Sequence, residues 1–272
     1  MAVSGTGRVI FIGAGPGAAD LITLRGARLL AQADVVLFDA LTDPALKSFA
    51  PDASWVHVGK RGFCDSTGQT AINALLVKYA REVGTVIRLK GGDPSVFGRL
   101  EEELQALAKA GIACEVVPGV TAAIAAAASS QRPLTRRGTG RSVSLATAMT
   151  RSGDLNASRT ADTEVFYMAG KQLASLSRQL MAATWPADTP VSVVSRAGWP
   201  DAMHSDHTVR TLAEASVLHA GRPTIVTVGA GARELNGPLP TESSGASSGE
   251  PLKSRASPVG DARPTATSKP EP

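Results

Sequence analysis

The sequence predicts an α/β protein of two lobes built on mainly parallel sheets. Three observations predict it. Short β-rich apolar runs alternate with segments of helical period. Glycine-rich loops directly follow two of those runs. The length of 272 residues, 43% of them apolar, supplies enough chain for two such cores.

The first predicted strand, 9–12 within "RVIFIG", passes through a glycine turn into the helical pattern "LITLRGARLLAQA". Strand 35–38 precedes the helix "TAINALLVKYAREV", strand 86–89 precedes the helix "LEEELQALAKAG", and strand 115–117 closes the lobe near Pro118. Strands separated by helices pair in parallel, because parallel pairing needs a long crossover. "GVTAAIAAAASS" then reads as a helix of small residues that can approach a neighbouring backbone closely. After "QRPLTRRGTGRS" the alternation resumes with "SVSLATA", "TEVFYMAG", the helix "KQLASLSRQLMAA", "PVSVVSRAG" and "PTIVTVGAG". The lobes are thus placed at 1–118 and 119–235. Residues 236–272 are nearly devoid of apolar side chains and rich in Gly, Pro, Ser, Thr and Ala, so this tail is expected to be disordered.

Composition narrows the function classes. The 28 Lys and Arg against 24 Asp and Glu leave +4, a mild excess. Four basic and four acidic residues cancel in the tail, so the excess lies in the two lobes. Aromatic residues make up 4% and form no stripe interleaved with arginine, which argues against nucleic-acid binding. Cys64 and Cys114 have neither CxxC nor His/Cys metal spacing, so no disulfide frame and no metal site are expected. "MAVSGTG" lacks the basic and apolar regions of a leader, and no apolar run reaches the ~20 residues that span a bilayer. A cytoplasmic protein is expected.

The stretch "RVIFIGAGPGAAD" places Gly13, Gly15 and Ala18 in a G-x-G-x-x-G/A pattern after a strand, with Asp39 where a ribose-binding acid would lie. Two residues weigh against a dinucleotide. Pro16 removes an N–H from the turn, and Asp20 puts a carboxylate where a pyrophosphate would dock. A dinucleotide fingerprint and a turn without a ligand both remain compatible with this stretch alone. "IRLKGGDPSVFGR" adds a second strand-end loop, in which Gly91 and Gly92 expose backbone, Asp93 offers an acceptor and Pro94 fixes the turn. Both loops should lie on the carboxyl edge of one parallel sheet, and an acidic turn suits the hydroxyls of a nucleoside better than phosphates.

In order along the chain, "FIGAGPGAADLITLRGARLLAQADVVLFDAL", "VGKRG", "RLKGGDPSVFGRLEEE", "VVPGVTAAIAAAA", "PLTRRG" and "FYMAG" resemble the uroporphyrinogen-III C-methyltransferases of the tetrapyrrole methyltransferase class. The resemblance runs from about Gly7 to Gly231. It implies two α/β lobes with S-adenosylmethionine, leaving as S-adenosylhomocysteine, in the cleft between them. Pro16, Gly91, Gly92, Asp93, Val96, Thr121, Ala122, Met168 and Ala197 would line that cofactor. Asp39 would be a proton acceptor and Lys60 a proton donor, with Arg99 and Glu102 a further catalytic pair. Asp39 reads equally as a turn carboxylate. Members of the family are homodimers, and the same is expected here.

The implied substrate gives an independent check, because a macrocycle with eight carboxylates demands guanidinium donors around a wide site. Arg61, Arg136 and Arg137 are the expected substrate-binding residues, and Arg132 and Arg141 lie in the same basic stretch. The chain departs from the family in "GRLEEE", where a glycine-rich "GRGGEE" is usual, in "GFCDSTGQTAIN" and in "LATAM". Fused dehydrogenase or synthase domains are not apparent, so a stand-alone methyltransferase is expected. The alternatives are a methyltransferase for a later precorrin or a diphthamide intermediate, a nicotinamide-linked oxidoreductase, and a cofactor-binding descendant without turnover.

Overall fold

The computed structural model describes residues 7–59, 68–148 and 157–235. Lys60, Arg61, most of the "GFCDSTGQ" segment and the tail expected at 236–272 lie outside the described residues. The first sheet consists of β1 (Arg8–Gly13), β2 (Val35–Phe38), β3 (Ser54–His57), β4 (Thr85–Lys90) and β5 (Cys114–Val117), in the order β3-β2-β4-β1-β5. Every pairing in it is parallel. Helices α1 (Leu24–Leu30), α2 (Gln69–Glu82) and α3 (Leu100–Lys109) cover it.

Successive side chains of β1 point to opposite faces and both faces are buried, which is why "VIFI" is apolar throughout. Val9 and Phe11 pack with Leu76, Ala80 and Leu107 of α2 and α3, while Ile10 and Ile12 pack with Leu30 and Leu46. Thr23 starts α1 by accepting the Gly26 N–H on its hydroxyl at 3.0 Å. α3 has no side-chain cap, but Glu101, Glu102 and Glu103 in its first turn oppose the positive end of the helix dipole.

The second sheet contains β6 (Val143–Thr147), β7 (Thr163–Tyr167), β8 (Pro190–Ser195), β9 (Met203–Thr208) and β10 (Thr224–Gly229), in the order β6-β7-β10-β8-β9. α5 (Leu173–Ala182) packs Leu173, Leu176 and Leu180 on one face, and α4 (Ala122–Ser129) places Ala123 and Ala126 against Val165, Val194 and Ile225 on the other. Two α/β lobes are therefore present, but the second sheet is not mainly parallel. β6 pairs with β7 in parallel, whereas β10 is antiparallel to both β7 and β8, and β8 is antiparallel to β9. The cause is connection length and insertion. A short turn returns β8 directly as β9, as antiparallel pairs permit. α6 (Ser216–His219) and the 310 turn Leu212–Ala215 then carry the chain over β8, so β10 enters between β7 and β8 running against both. Edge strands β3 and β9 were not expected from the sequence, because "SWVH" and "MHSDHT" carry no sustained apolar run.

Candidate functional site

The two glycine loops meet at the carboxyl ends of adjacent strands β1 and β4. Gly15 and Gly92 exchange main-chain hydrogen bonds, Gly92 N to Gly15 O at 2.7 Å and Gly15 N to Gly92 O at 3.3 Å. Gly13 is equally constrained: a β-carbon on it would lie 2.6 Å from Gly119 Cα and 2.7 Å from Gly92 O. Three stretches of main chain can touch here because none carries a side chain.

Most amides of the first turn are already committed and so not offered to a phosphate. Ala14 N donates to Lys90 O at 2.8 Å, Ala18 N to Gly198 O at 2.7 Å, and Ala19 N to the Asp43 carboxylate at 3.1 Å, while Pro16 has no N–H and Gly15 N is taken as above. The turn leads only into the three-residue 310 segment Ala19–Leu21, so the dipole that would anchor a pyrophosphate is missing as well. Committed amides and the missing helix start both weigh against the dinucleotide reading.

A cavity of ≈ 180 Å³ opens above the meeting point. Pro16 from the first loop, Gly91, Gly92, Asp93 and Val96 from the second, Thr121 and Ala122 from the start of α4, and Met168 and Ala197 from the second sheet all line it. Its chemistry fits a nucleoside thioether: mostly apolar walls, glycine main chain, and a few convergent polar groups. Asp93 is oriented by accepting from Ser95 N and Gly119 N, each at 2.8 Å. The hydroxyls of Thr121 and Tyr167 lie 2.8 Å apart. Burial pushes the Tyr167 phenol up, against the opposing effect of Thr121, so it stays a neutral hydroxyl at physiological pH.

Sequence reasoning missed eight lining residues, among them Phe97, Tyr167, Arg196 and Trp199. Phe97 stacks obliquely on Tyr167 at 4.9 Å between centroids, and Arg196 lies over the Trp199 ring at 4.4 Å. Tyr167 stands beside Met168 in "FYM", and Trp199 follows the second-lobe glycine in "RAGW", so proximity to recognised positions was the available signal. Phe97, Met168 and Arg196 all have left-handed backbone, with φ of 52°, 59° and 52°. Non-glycine residues rarely adopt this conformation, and its clustering around one cavity is typical of a ligand site.

The catalytic candidates among the described residues, Asp39, Arg99 and Glu102, do not line the cavity. The Asp39 carboxylate accepts from Gly91 N at 3.3 Å and Leu41 N at 3.3 Å, two residues that do line it. Arg99 and Glu102 form a forked ion pair, both contacts at 2.7 Å, and Arg99 lines an adjoining open depression that shares Phe97 with the cavity. Glu102 holds the Arg99 guanidinium above its ordinary range. Lys60 and Arg61 are outside the described residues.

The basic stretch is less available than its sequence suggests. Arg136 donates to the carbonyls of Arg233 and Glu234, Arg137 is exposed, and neither lines the cavity. Arg132 is buried and held by Asp206 and Glu234, so it is a structural ion-pair anchor. Although burial opposes it, hydrogen bonding to Arg132 keeps Asp206 below the usual carboxylate range. Among the described residues no cluster of metal-ligating side chains occurs, and no helix is long and apolar enough to cross a membrane.

Residues 8–231 match the sequence profile of the Tetrapyrrole (Corrin/Porphyrin) Methylases. The chain belongs to the tetrapyrrole methylases. This methylase is 43% identical over 196 residues to a uroporphyrinogen-III C-methyltransferase of Pseudomonas aeruginosa, covering 71% of the chain and 80% of the relative. It is 44% identical over 229 residues to Siroheme synthase 1 of Pectobacterium atrosepticum, covering 82% of the chain but 48% of that longer relative. The chain thus spans about half the length of the siroheme synthase. Among solved structures it is similar to the uroporphyrin-III C-methyltransferase of Thermus thermophilus complexed with S-adenosylhomocysteine, at TM-score 0.72 and 35% identity, over 82% of this chain and 97% of that one. A cobalt precorrin-4 methyltransferase superposes with TM-score 0.74 at 29% identity, over 84% of this methylase and 96% of that chain.

Proposed function

We propose that this methylase transfers methyl groups from S-adenosylmethionine to carbon atoms of uroporphyrinogen III, giving precorrin-2 by way of precorrin-1 for sirohaem or corrinoid synthesis. One observation carries the reading: nine residues from both lobes, chosen for the cofactor by resemblance, line a single cavity, and the first loop's Ala14, Gly15, Ala18 and Ala19 amides are already committed to protein acceptors. The higher identity to uroporphyrinogen-III enzymes than to the precorrin-4 enzyme favours the earlier substrate.

S-adenosylmethionine supplies an electrophilic sulfonium methyl. The chain's work is to bring an electron-rich pyrrole carbon into line with it and to take up the proton that the alkylated macrocycle must lose. Asp93, Thr121 and the Gly91–Gly92 main chain bind the nucleoside end. Met168, Ala197 and Val96 close the apolar walls and exclude water. Asp39 accepts the proton at the edge of the cavity; Lys60 is the candidate donor for tautomeric shifts, in which each proton given to the macrocycle is matched by another taken from it. Arg99 faces the open depression beside Phe97, where the macrocycle carboxylates would lie, with Arg61, Arg136 and Arg137 as further contacts.

The expected assembly is a cytoplasmic homodimer. Ile124 on α4 and Val143 and Leu145 on edge strand β6 expose apolar surface that a second copy would cover. Purified protein incubated with S-adenosylmethionine and enzymatically made uroporphyrinogen III should show successive mass gains of one and two methyl groups. Transfer only to later precorrins in a substrate panel would move the assignment to that step. Cofactor binding without transfer to any tetrapyrrole would leave a binding protein.

A further inference from the structure

Beneath the second glycine loop lies a charge cluster that the proposed reaction does not yet use. Arg88 and Lys90 sit on β4 with 4% and 3% of their surface exposed, and Glu103 in the first turn of α3 is fully buried. Glu103 binds both cations. Its Oε1 accepts from Arg88 Nε at 3.2 Å and from Gln69 Nε2 at 3.2 Å, and its Oε2 accepts from Lys90 Nζ at 2.8 Å. Arg88 continues outward: its Nη1 donates to the carbonyls of Leu89 and Leu37 at 3.0 and 3.4 Å and lies 4.0 Å from Asp39 Oδ2. The remaining Asp39 contacts are Gly91 N, Leu41 N and the Thr42 hydroxyl.

Burying charge at this depth is costly unless every member is paired. A core that needed only packing would use apolar residues here, as β4 does at Val86, Ile87 and Leu89. Burial, followed by repulsion from Arg88, lowers the Lys90 pKa, so its ammonium depends on Glu103 for stability. Two buried cations against one buried carboxylate leave one positive charge to be balanced, and the partner the geometry provides is Asp39. Lys90 immediately precedes Gly91, whose N–H is a second hold on the same carboxylate.

We propose that Glu103 is a positioning residue for methyl transfer: it fixes Arg88 and Lys90 beneath the cavity and, through Arg88, sets the Asp39 carboxylate against Gly91. The inference rests on the proposed role of Asp39 as proton acceptor. Glu103 is fully buried and lines neither the cavity nor the adjoining depression, so it should act on turnover and leave cofactor affinity nearly intact.

A double-mutant cycle on the full chain tests this, using transfer of radiolabelled methyl to uroporphyrinogen III. Glu103→Gln is expected to lower kcat about ten-fold with KM for the cofactor within about three-fold of wild type. In an Asp39→Asn background, the same substitution should cost less than about two-fold, because the carboxylate it positions has gone. Equal costs in both backgrounds, or an unchanged kcat, would overturn the inference while leaving the methyltransferase reading in place. Should Glu103→Gln fail to fold, Arg88→Lys keeps the charge but shortens the reach to Asp39. It should lower kcat about five-fold and show the same loss of effect beside Asp39→Asn, and additive costs would again overturn the inference. A wild-type protein inactive on every tetrapyrrole would instead refute the proposed function, and the positioning role with it.

Discussion

Asp93 commits its two carboxylate oxygens to Ser95 N and Gly119 N, yet it faces the cavity with acceptor capacity to spare. Asp93→Ala should therefore weaken S-adenosylhomocysteine binding by ten-fold or more in calorimetry, about 1.5–3 kcal/mol. A fall in Tm without a change in affinity would show that Asp93 only ties the loop to Gly119. His219 illustrates a polar residue with a purely internal role. It is fully buried between the hydroxyls of Ser195 and Ser205, at 2.9 and 2.8 Å, and burial lowers its pKa from 6.5 to about 4. The unfolded chain takes up a proton near pH 6.5 and the native state does not until about pH 4. Stability is thus complete above pH 6.5 and falls as pH drops through this window, by up to about 3 kcal/mol from this residue. Urea melts at pH 7 and pH 4.5 should differ, and His219→Gln should flatten the difference.

At the level of elements, the junction of β1, the second loop and the start of the α4 segment depends on absent side chains. Gly13→Ala would push a methyl into Gly119 and the Gly92 carbonyl, backbone that has no rotamer to yield. The expected cost is about 1–3 kcal/mol in stability together with loss of cofactor binding, read by thermal shift with and without S-adenosylhomocysteine. These glycines were legible because they punctuate apolar runs, and the first sheet was legible because burial on both faces makes its strands continuous apolar segments. Edge strands β3 and β9 were not, since their exposed faces carry Ser, His and Asp. The direction of β10 was hidden for a different reason: an apolar run states that a strand is central but not which way it runs. The ion-pair role of Arg132 was hidden as well, because its partners Asp206 and Glu234 lie 74 and 102 residues away. The nine positions that line the cavity could be carried over residue by residue from ordered motifs, whereas Tyr167 and Trp199 gain meaning only when the second sheet is folded against the first loop.

For the whole described molecule, the wall of the cavity depends on how the first glycine turn seats on the second sheet's β8–β9 turn. Trp199 Nε1 donates to Pro16 O at 3.1 Å, Ala18 N donates to Gly198 O at 2.7 Å, and a β-carbon on Gly17 would lie 2.6 Å from the Gly198 carbonyl and from the Trp199 ring. Pro16 and Trp199 both line the cavity, so the contact that joins the halves is also part of its wall. Affinity and lobe docking are then linked, because a ligand touching both sides stabilises the seated state in proportion to its binding. Trp199→Phe removes one hydrogen bond and should cost about 1 kcal/mol in stability while retaining most affinity for S-adenosylhomocysteine. Trp199→Ala also removes the ring beneath Arg196, and is expected to weaken that affinity by more than ten-fold and to reduce the Tm gain on saturation accordingly. If Trp199→Ala bound as tightly as wild type, the seating of turn on turn would be a packing contact alone, and the cavity would owe its ligand to the first sheet's loops.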